Sequence, residues 1–199
     1  MIRQRAKALD AFRRVYYEFP LSQQANDAQS GIERLQTPAL VPADLFTMEL
    51  ARAERLFSAR RWAQARAAFA PLTRAATGDD KELVALRLAE CDYYAKRYRL
   101  AREALDGLTE SPTRGYEARY FLASAVKALG DRDDFATRVT ALVHDAPASP
   151  WSAEALNALA ALGSQAKEAL PDILTLAKDK EEHETVKKAA AAAAKKIGS

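Results

Sequence analysis

Trp62-Ala-Gln-Ala65-Arg-Ala-Ala-Phe69-Ala-Pro-Leu72 and Tyr98-Arg-Leu-Ala101-Arg-Glu-Ala-Leu105-Asp-Gly-Leu108 decide the fold, because they set similar residue types at the same offsets 36 positions apart. A third copy, Arg132-Asp-Asp-Phe135-Ala-Thr-Arg-Val139-Thr-Ala-Leu142, follows after a further 34. Upstream of each copy a small residue stands in the same register, at Ala53, Ala89 and Ala123. A period of this length means stacked helix pairs, because one pair cannot bury its apolar face without a neighbour. The expected fold is therefore all-α, an α-solenoid of antiparallel helix pairs.

Composition agrees with that expectation. The chain has 199 residues, 49% of them hydrophobic, with Ala abundant and only seven Gly, which fits ordered helix and argues against disorder. Thirty basic and twenty-seven acidic residues give a formal charge of +3, with both signs mixed along nearly every segment. Nucleic-acid binding would ask for a basic stripe. The nearest approach is Lys187, Lys188, Lys195 and Lys196, which sit near helix ends where cations favour the helix dipole. Cys91 is the only cysteine, which removes any intrachain disulfide or cysteine metal cluster, and its apolar surroundings predict an inert buried thiol. Met1 to Pro20 has five basic residues and no continuous apolar run, so neither a signal peptide nor a membrane span is expected. A soluble protein that is not exported is the corresponding expectation.

Along the chain, the periodicity predicts one helix over 2–19, stopped by Pro20, and a second to about Leu35 with Ser22 as its cap. Two prolines in Thr37-Pro-Ala-Leu-Val-Pro42 mark an internal boundary. Asp44 is placed to cap a helix reaching Arg60, and Trp62 opens its partner, with Pro71 kinking it and Gly78 ending it. Further pairs are expected over 80–96 with 98–108 and 113–129 with 132–145, separated by Ser111-Pro112 and closed by Pro147. Strand signals are absent.

At these positions the chain resembles the tetratricopeptide repeat (TPR) family, in its small residues at Ala89 and Ala123, Tyr98 and Ala101, Leu105 and Leu108, and Gly130, Val139, Leu142 and Pro147. The family's small sites let helices pack 8–10 Å apart. Arg52 departs from it where leucine is usual, and Phe135 where alanine is. Ala8, Phe12, Val15 and Pro20 match the second half of a repeat, so a start in mid-repeat, and hence an excised or truncated segment, is expected. The segments Val15-Tyr-Tyr-Glu-Phe-Pro-Leu-Ser22, Arg60 to Phe69, Leu86-Arg-Leu-Ala-Glu-Cys-Asp-Tyr93 and Ser149 to Asn157 resemble the superhelical region of bacterial soluble lytic murein transglycosylases. Beyond Gly163, Ala169-Leu-Pro-Asp-Ile-Leu174 with Val186-Lys-Lys-Ala-Ala190 resembles a single HEAT-type pair, which would cap the solenoid end. The expected organisation is a half-repeat and helix over 1–36, TPR-like repeats over 43–163 and a HEAT-like capping pair over 164–199.

Chemistry is sparse. His144 and His183 have no second ligand at helical spacing, so no metal site is expected, and no Gly-rich phosphate loop or nucleophile elbow occurs. The transglycosylase resemblance implies a catalytic Glu-Ser pair followed by Gly-Leu-Met-Gln. Glu110-Ser111 is present, but Pro112 follows and the second motif is missing. An inter-repeat turn also offers no enclosed apolar pocket to raise a carboxyl pKa. No catalytic residue, cofactor or metal is expected.

What remains is surface. In the TPR family the first helix of each pair lines the concave face, which makes Leu50, Glu54, Phe57, Leu86, Glu90, Tyr93, Tyr94, Tyr120, Ser124 and Lys127 the candidate groove residues. Glu54 and Glu90 disfavour the grip on chaperone carboxylates that some members make with groove cations. Three functions stay open: a non-enzymatic scaffold for a peptide or protein partner, the accessory superhelix of a cell-wall lytic enzyme, and weak nucleic-acid binding by a basic HEAT-like surface. A monomer with no membrane partner is expected, and a periplasmic address would follow from the lytic-enzyme parentage.

Overall fold

A computed structural model describes residues 2–37, 44–163, 170–178 and 184–198. All regular structure among them is helical: α1 (Ile2–Arg13), α2 (Ala25–Leu35), α3 (Leu45–Ser58), α4 (Trp62–Phe69), α5 (Gly78–Tyr94), α6 (Tyr98–Asp106), α7 (Gly115–Ala128), α8 (Arg132–Asp145), α9 (Pro150–Ala160), α10 (Leu170–Lys178) and α11 (Glu184–Gly198). The chain forms two compact units, Met1–Ala95 and Lys96–Ser199. The proline boundary at 38–42, the expected start of the terminal pair at 164–169 and His183 lie outside the described residues.

In the first unit, α1 runs into one wide π-helical turn, Arg14–Glu18, instead of staying α-helical to Phe19. That turn carries Tyr16 and Tyr17 onto α3. The Tyr17 hydroxyl donates to Glu49 Oε1 at 2.9 Å, and the Arg52 guanidinium lies 4.0 Å from the Tyr16 ring centre. Arg52, the departure from the family pattern, thus meets an aromatic face where a leucine would meet an apolar neighbour. On the other side, α2 approaches so closely that a Cβ at Gly31 would stand 2.6 Å from the Phe12 ring. The main core of the unit joins Ala53, Leu56, Ala65, Phe69, Leu72, Val84 and Cys91, so the repeating small and large positions are interior ones.

Proline and the turn residues set the helix ends. Pro71 has no N–H for the ladder, and α4 gives way at Ala70 to a tighter 3₁₀ segment, Ala70–Arg74, instead of continuing to Thr77. Gly78, at φ 53°, therefore opens α5 and does not close α4. Ser22 does not cap α2: the helix begins at Ala25 and the residue before it, Gln24, makes no side-chain cap bond. Asp44 does precede α3, but its side chain makes no cap bond either.

The ends of α3, α5 and α7 share a feature the composition hides. Arg60, Lys96 and Gly130 all have left-handed backbones, at φ 59°, 61° and 98°, and their numbers repeat the 36-then-34 step. At Arg60 and Gly130 the bonding is that of a Schellman turn: Arg60 N–H donates to the Phe57 carbonyl and Arg61 N–H to Leu56, while Gly130 N–H donates to Lys127 and Asp131 N–H to Val126. The turn satisfies carbonyls that the helix end would otherwise orphan.

In the second unit, α7 packs against α6, α8 and α9, and Phe121 through Val126 are all buried. Asp131 caps α8 by accepting from the Asp134 N–H at 3.1 Å. α9 was not singled out as a helix in the sequence, although Ser149 caps it and Pro150 occupies its first position. Its buried Ser152 hydroxyl donates to the Ala146 carbonyl at 2.6 Å, closing the α8–α9 turn. α11 buries Val186, Ala190, Ala193, Ala194 and Ile197 and packs against α9 and α10, which gives the uniform alanine run a close-packing role.

Candidate functional site

The first unit gathers most of its candidate groove residues around two residues that were not among them. Arg87 of α5 reaches Glu54 of α3 through Nε at 3.1 Å and Glu90 through Nη1 at 2.7 Å, and its guanidinium lies 4.7 Å from the Phe57 ring centre. Trp62, the first residue of α4, packs edge-on to Phe57 at 5.2 Å and stacks flat on Tyr94 at 4.1 Å, with planes 10° apart. Tyr93 completes the group edge-on to Tyr94. One continuous cluster of aromatic rings and opposed charges therefore joins Glu54, Phe57, Glu90, Tyr93 and Tyr94. The sequence carried one signal for Arg87, its position one turn before Glu90. It carried none for the Trp62–Tyr94 stack.

Exposure divides the candidates. Tyr94 is 41% exposed, whereas Leu86 is closed off from solvent and Glu90 is only 1% exposed. Leu86 thus occupies a packing position, and Glu90 acts by holding Arg87. Leu50 is partly buried against the core. Behind this cluster Arg66 of α4 clasps Asp92, another nearly buried carboxylate, at 2.8 and 3.3 Å. Between the two acids, burial pushes the Cys91 thiol up to about 12, with Glu90 and Asp92 adding to the shift, so the buried thiol stays protonated.

In the second unit Tyr120 lies 5.2 Å from the Trp151 ring centre, and burial, followed by the Glu154 charge, raises its phenol above the usual range. Ser124 is buried against it, a packing position like Leu86. Lys127 sits over Phe135 at 4.9 Å, and burial lowers its pKa. Glu110, of the Glu110-Ser111 pair, is 86% exposed and pairs with Arg119 at 3.2 Å. Arg119 also binds Asp145 at 2.8 Å and donates to the Thr109 carbonyl. This surroundings is open and charged, the opposite of the apolar enclosure a glycan-cleaving acid needs. Among the described residues no group of three His, Cys, Asp or Glu side chains is placed to hold a metal ion, and no helix is long and apolar enough to cross a membrane.

These observations define an all-α protein of helices packed on their neighbours, of the kind helical-repeat architectures use. No family model matches the chain, nor does any curated protein or solved structure. The TPR, HEAT and lytic-transglycosylase resemblances therefore rest on the segments quoted above.

Proposed function

We propose that the protein is a non-enzymatic helical-repeat scaffold, with TPR-like pairs and a HEAT-like terminal pair, that binds a peptide or protein partner through the aromatic and charged cluster of its first unit. The burial of Ala53, Ala89 and Ala123 and the recurring left-handed turn at Arg60, Lys96 and Gly130 support the repeat reading. The observation that carries the binding reading is the Trp62–Tyr94 stack, held flat at 4.1 Å with Tyr94 open to solvent. A flat, amphipathic ring pair pre-ordered by its neighbours offers contact area at little entropic cost.

The test is peptide display against the intact chain, followed by titration of an enriched peptide with Trp fluorescence in a Trp151→Phe background, where Trp62 alone reports. Tyr94→Ala is expected to weaken binding about tenfold, corresponding to ~1.4 kcal/mol. Failure to enrich any peptide, or equal affinity for the wild-type and Tyr94→Ala chains, would remove the reading.

A further inference from the structure

The turn between α3 and α4 sets two arginines directly before the aromatic stack. Arg60 and Arg61 are both exposed, and neither side chain has a hydrogen-bond or ion-pair partner among the described residues. Trp62 follows at once and lies flat on Tyr94 at 4.1 Å. Main-chain bonds fix this stretch: Arg60 N–H donates to the Phe57 carbonyl at 2.8 Å, Arg61 N–H to Leu56 at 2.9 Å, and the Arg61 carbonyl accepts from Ala65 to start α4. The backbone of two unpaired cations is therefore held next to the rings, while their side chains stay available.

The residue type at position 60 points the same way. Its backbone is left-handed, at φ 59°, a conformation that glycine adopts without strain and that Gly130 supplies at the equivalent position of the repeat. Strain retained where glycine would relieve it indicates a side chain in use. Arg61 precedes α4 without making a side-chain cap bond, so the helix start does not occupy it. The acids of the cluster are already engaged: Glu90 and Asp92 are nearly buried and held by Arg87 and Arg66, and Arg87 Nε also reaches Glu54. Arg60, Arg61, Arg66 and Arg87 against Glu54, Glu90 and Asp92 leave one positive charge in excess, and the side chains without a counterion are the two exposed arginines of the turn.

We propose that the aromatic cluster takes an acidic peptide segment. An apolar side chain of the segment lies on the exposed Tyr94, and its Asp or Glu side chains pair with Arg60 and Arg61, whose planar guanidinium groups match a carboxylate with two parallel bonds. The proposal rests on the reading of that cluster as a peptide site and names the charge its peptide carries. Two arginines near a carboxylate, Glu54, suit carboxylates along a peptide better than a nucleic-acid strand, whose phosphates ask for a row of cations.

Two synthetic libraries of labelled, amidated peptides test it on the full chain, one of Leu, Pro and Asp and one with Lys in place of Asp. The amide removes any contribution from a chain-end carboxylate. The tightest binder of each is titrated by fluorescence anisotropy. The Asp peptide is expected to bind about tenfold more tightly than the Lys peptide and to weaken as salt is raised. Arg60→Gly with Arg61→Gln should cost it about tenfold, and so should Tyr94→Ala. The thermal midpoint of Arg60→Gly should not fall, which separates use of the side chain in binding from service to the helix end. Should the double variant disturb folding, Arg61→Gln, at a side chain with no cap bond, carries the test alone. Equal affinity for the two peptides, or indifference of the Asp peptide to the arginine variants, overturns the proposal; if Tyr94→Ala still weakens binding, the aromatic reading survives it. Binding that ignores Tyr94→Ala, or no binder in either library, removes both. Tighter binding of a single-stranded oligonucleotide than of the Asp peptide also overturns the proposal, in favour of a nucleic-acid partner.

Discussion

Arg66 and Asp92 meet in a two-pronged ion pair, Nε to Oδ1 at 2.8 Å and Nη2 to Oδ2 at 3.3 Å, that ties α4 to α5. The partners differ in exposure: the Asp92 side chain is 8% exposed and that of Arg66 38%. Removing the arginine takes its two-pronged partner from a nearly buried carboxylate, whereas replacing both puts an apolar contact in the pair's place. Arg66→Ala is expected to cost about 2 kcal/mol, between the values for exposed and fully buried pairs, and Arg66→Met with Asp92→Leu distinctly less. Urea midpoints of the singles and the double decide it; a double mutant as unstable as Arg66→Ala would show that packing, not charge, is what was lost.

The left-handed turns make opposite predictions at equivalent positions. Arg60 pays a backbone cost at φ 59° that glycine does not, so Arg60→Gly should be neutral or stabilise by about 0.5 kcal/mol despite its looser unfolded chain. Gly130, at φ 98°, would have open space around an added Cβ, so Gly130→Ala meets no neighbour and should cost about 1 kcal/mol through its backbone alone. A lowered thermal midpoint for Gly130→Ala and an unchanged or raised one for Arg60→Gly are the expected result.

Lys127 is lowered by burial, so the folded chain releases its proton before the unfolded one, whose value stays near 10.5. Between those two values the unfolded chain holds more protons, and stability rises with pH; below both, the penalty is constant and fully present. Lys127→Met should therefore stabilise at pH 7, by roughly 0.5 kcal/mol after loss of the contact with Phe135. Its advantage over the wild type should shrink as pH climbs toward 10.5, measured as the difference in urea midpoint.

Cys91 is buried with its thiol pushed up to about 12, and should be silent toward a disulfide reagent at pH 8 in the native chain. Modification should appear only with unfolding, tracking urea concentration. Rapid stoichiometric labelling without denaturant would show that the α5 core opens on its own.

Much of the fold was legible because repeats encode packing locally. Ala53, Phe69, Ala101, Val139 and Leu142 were assigned inward from spacing alone, and all are buried. Helix ends were read less well where backbone geometry overrode residue preference. Arg60 and Lys96 adopt the conformation that glycine signals at position 130, and Ser22 and Asp44, good caps by type, make no cap bond. The candidate site was legible as a set of helix faces but not as contacts. Leu86 and Ser124 fall on the expected helices yet are sealed, since which face of a helix stays open depends on what packs beside it.

The sequence by itself determined the helical composition, the proline stops and the inert cysteine, properties of residues within a turn or two of each other, and the period, which the recurrence of residue types along the chain displays directly. Tertiary structure alone decided that Arg87 bridges Glu54 and Glu90, that Trp62 lies flat on Tyr94, and that Phe19 and Leu21 remain in solvent. Those pairings join residues up to 33 positions apart. Helical periodicity sets only the direction of a side chain about its own axis, and the partner it meets is chosen by the packing of separate helices.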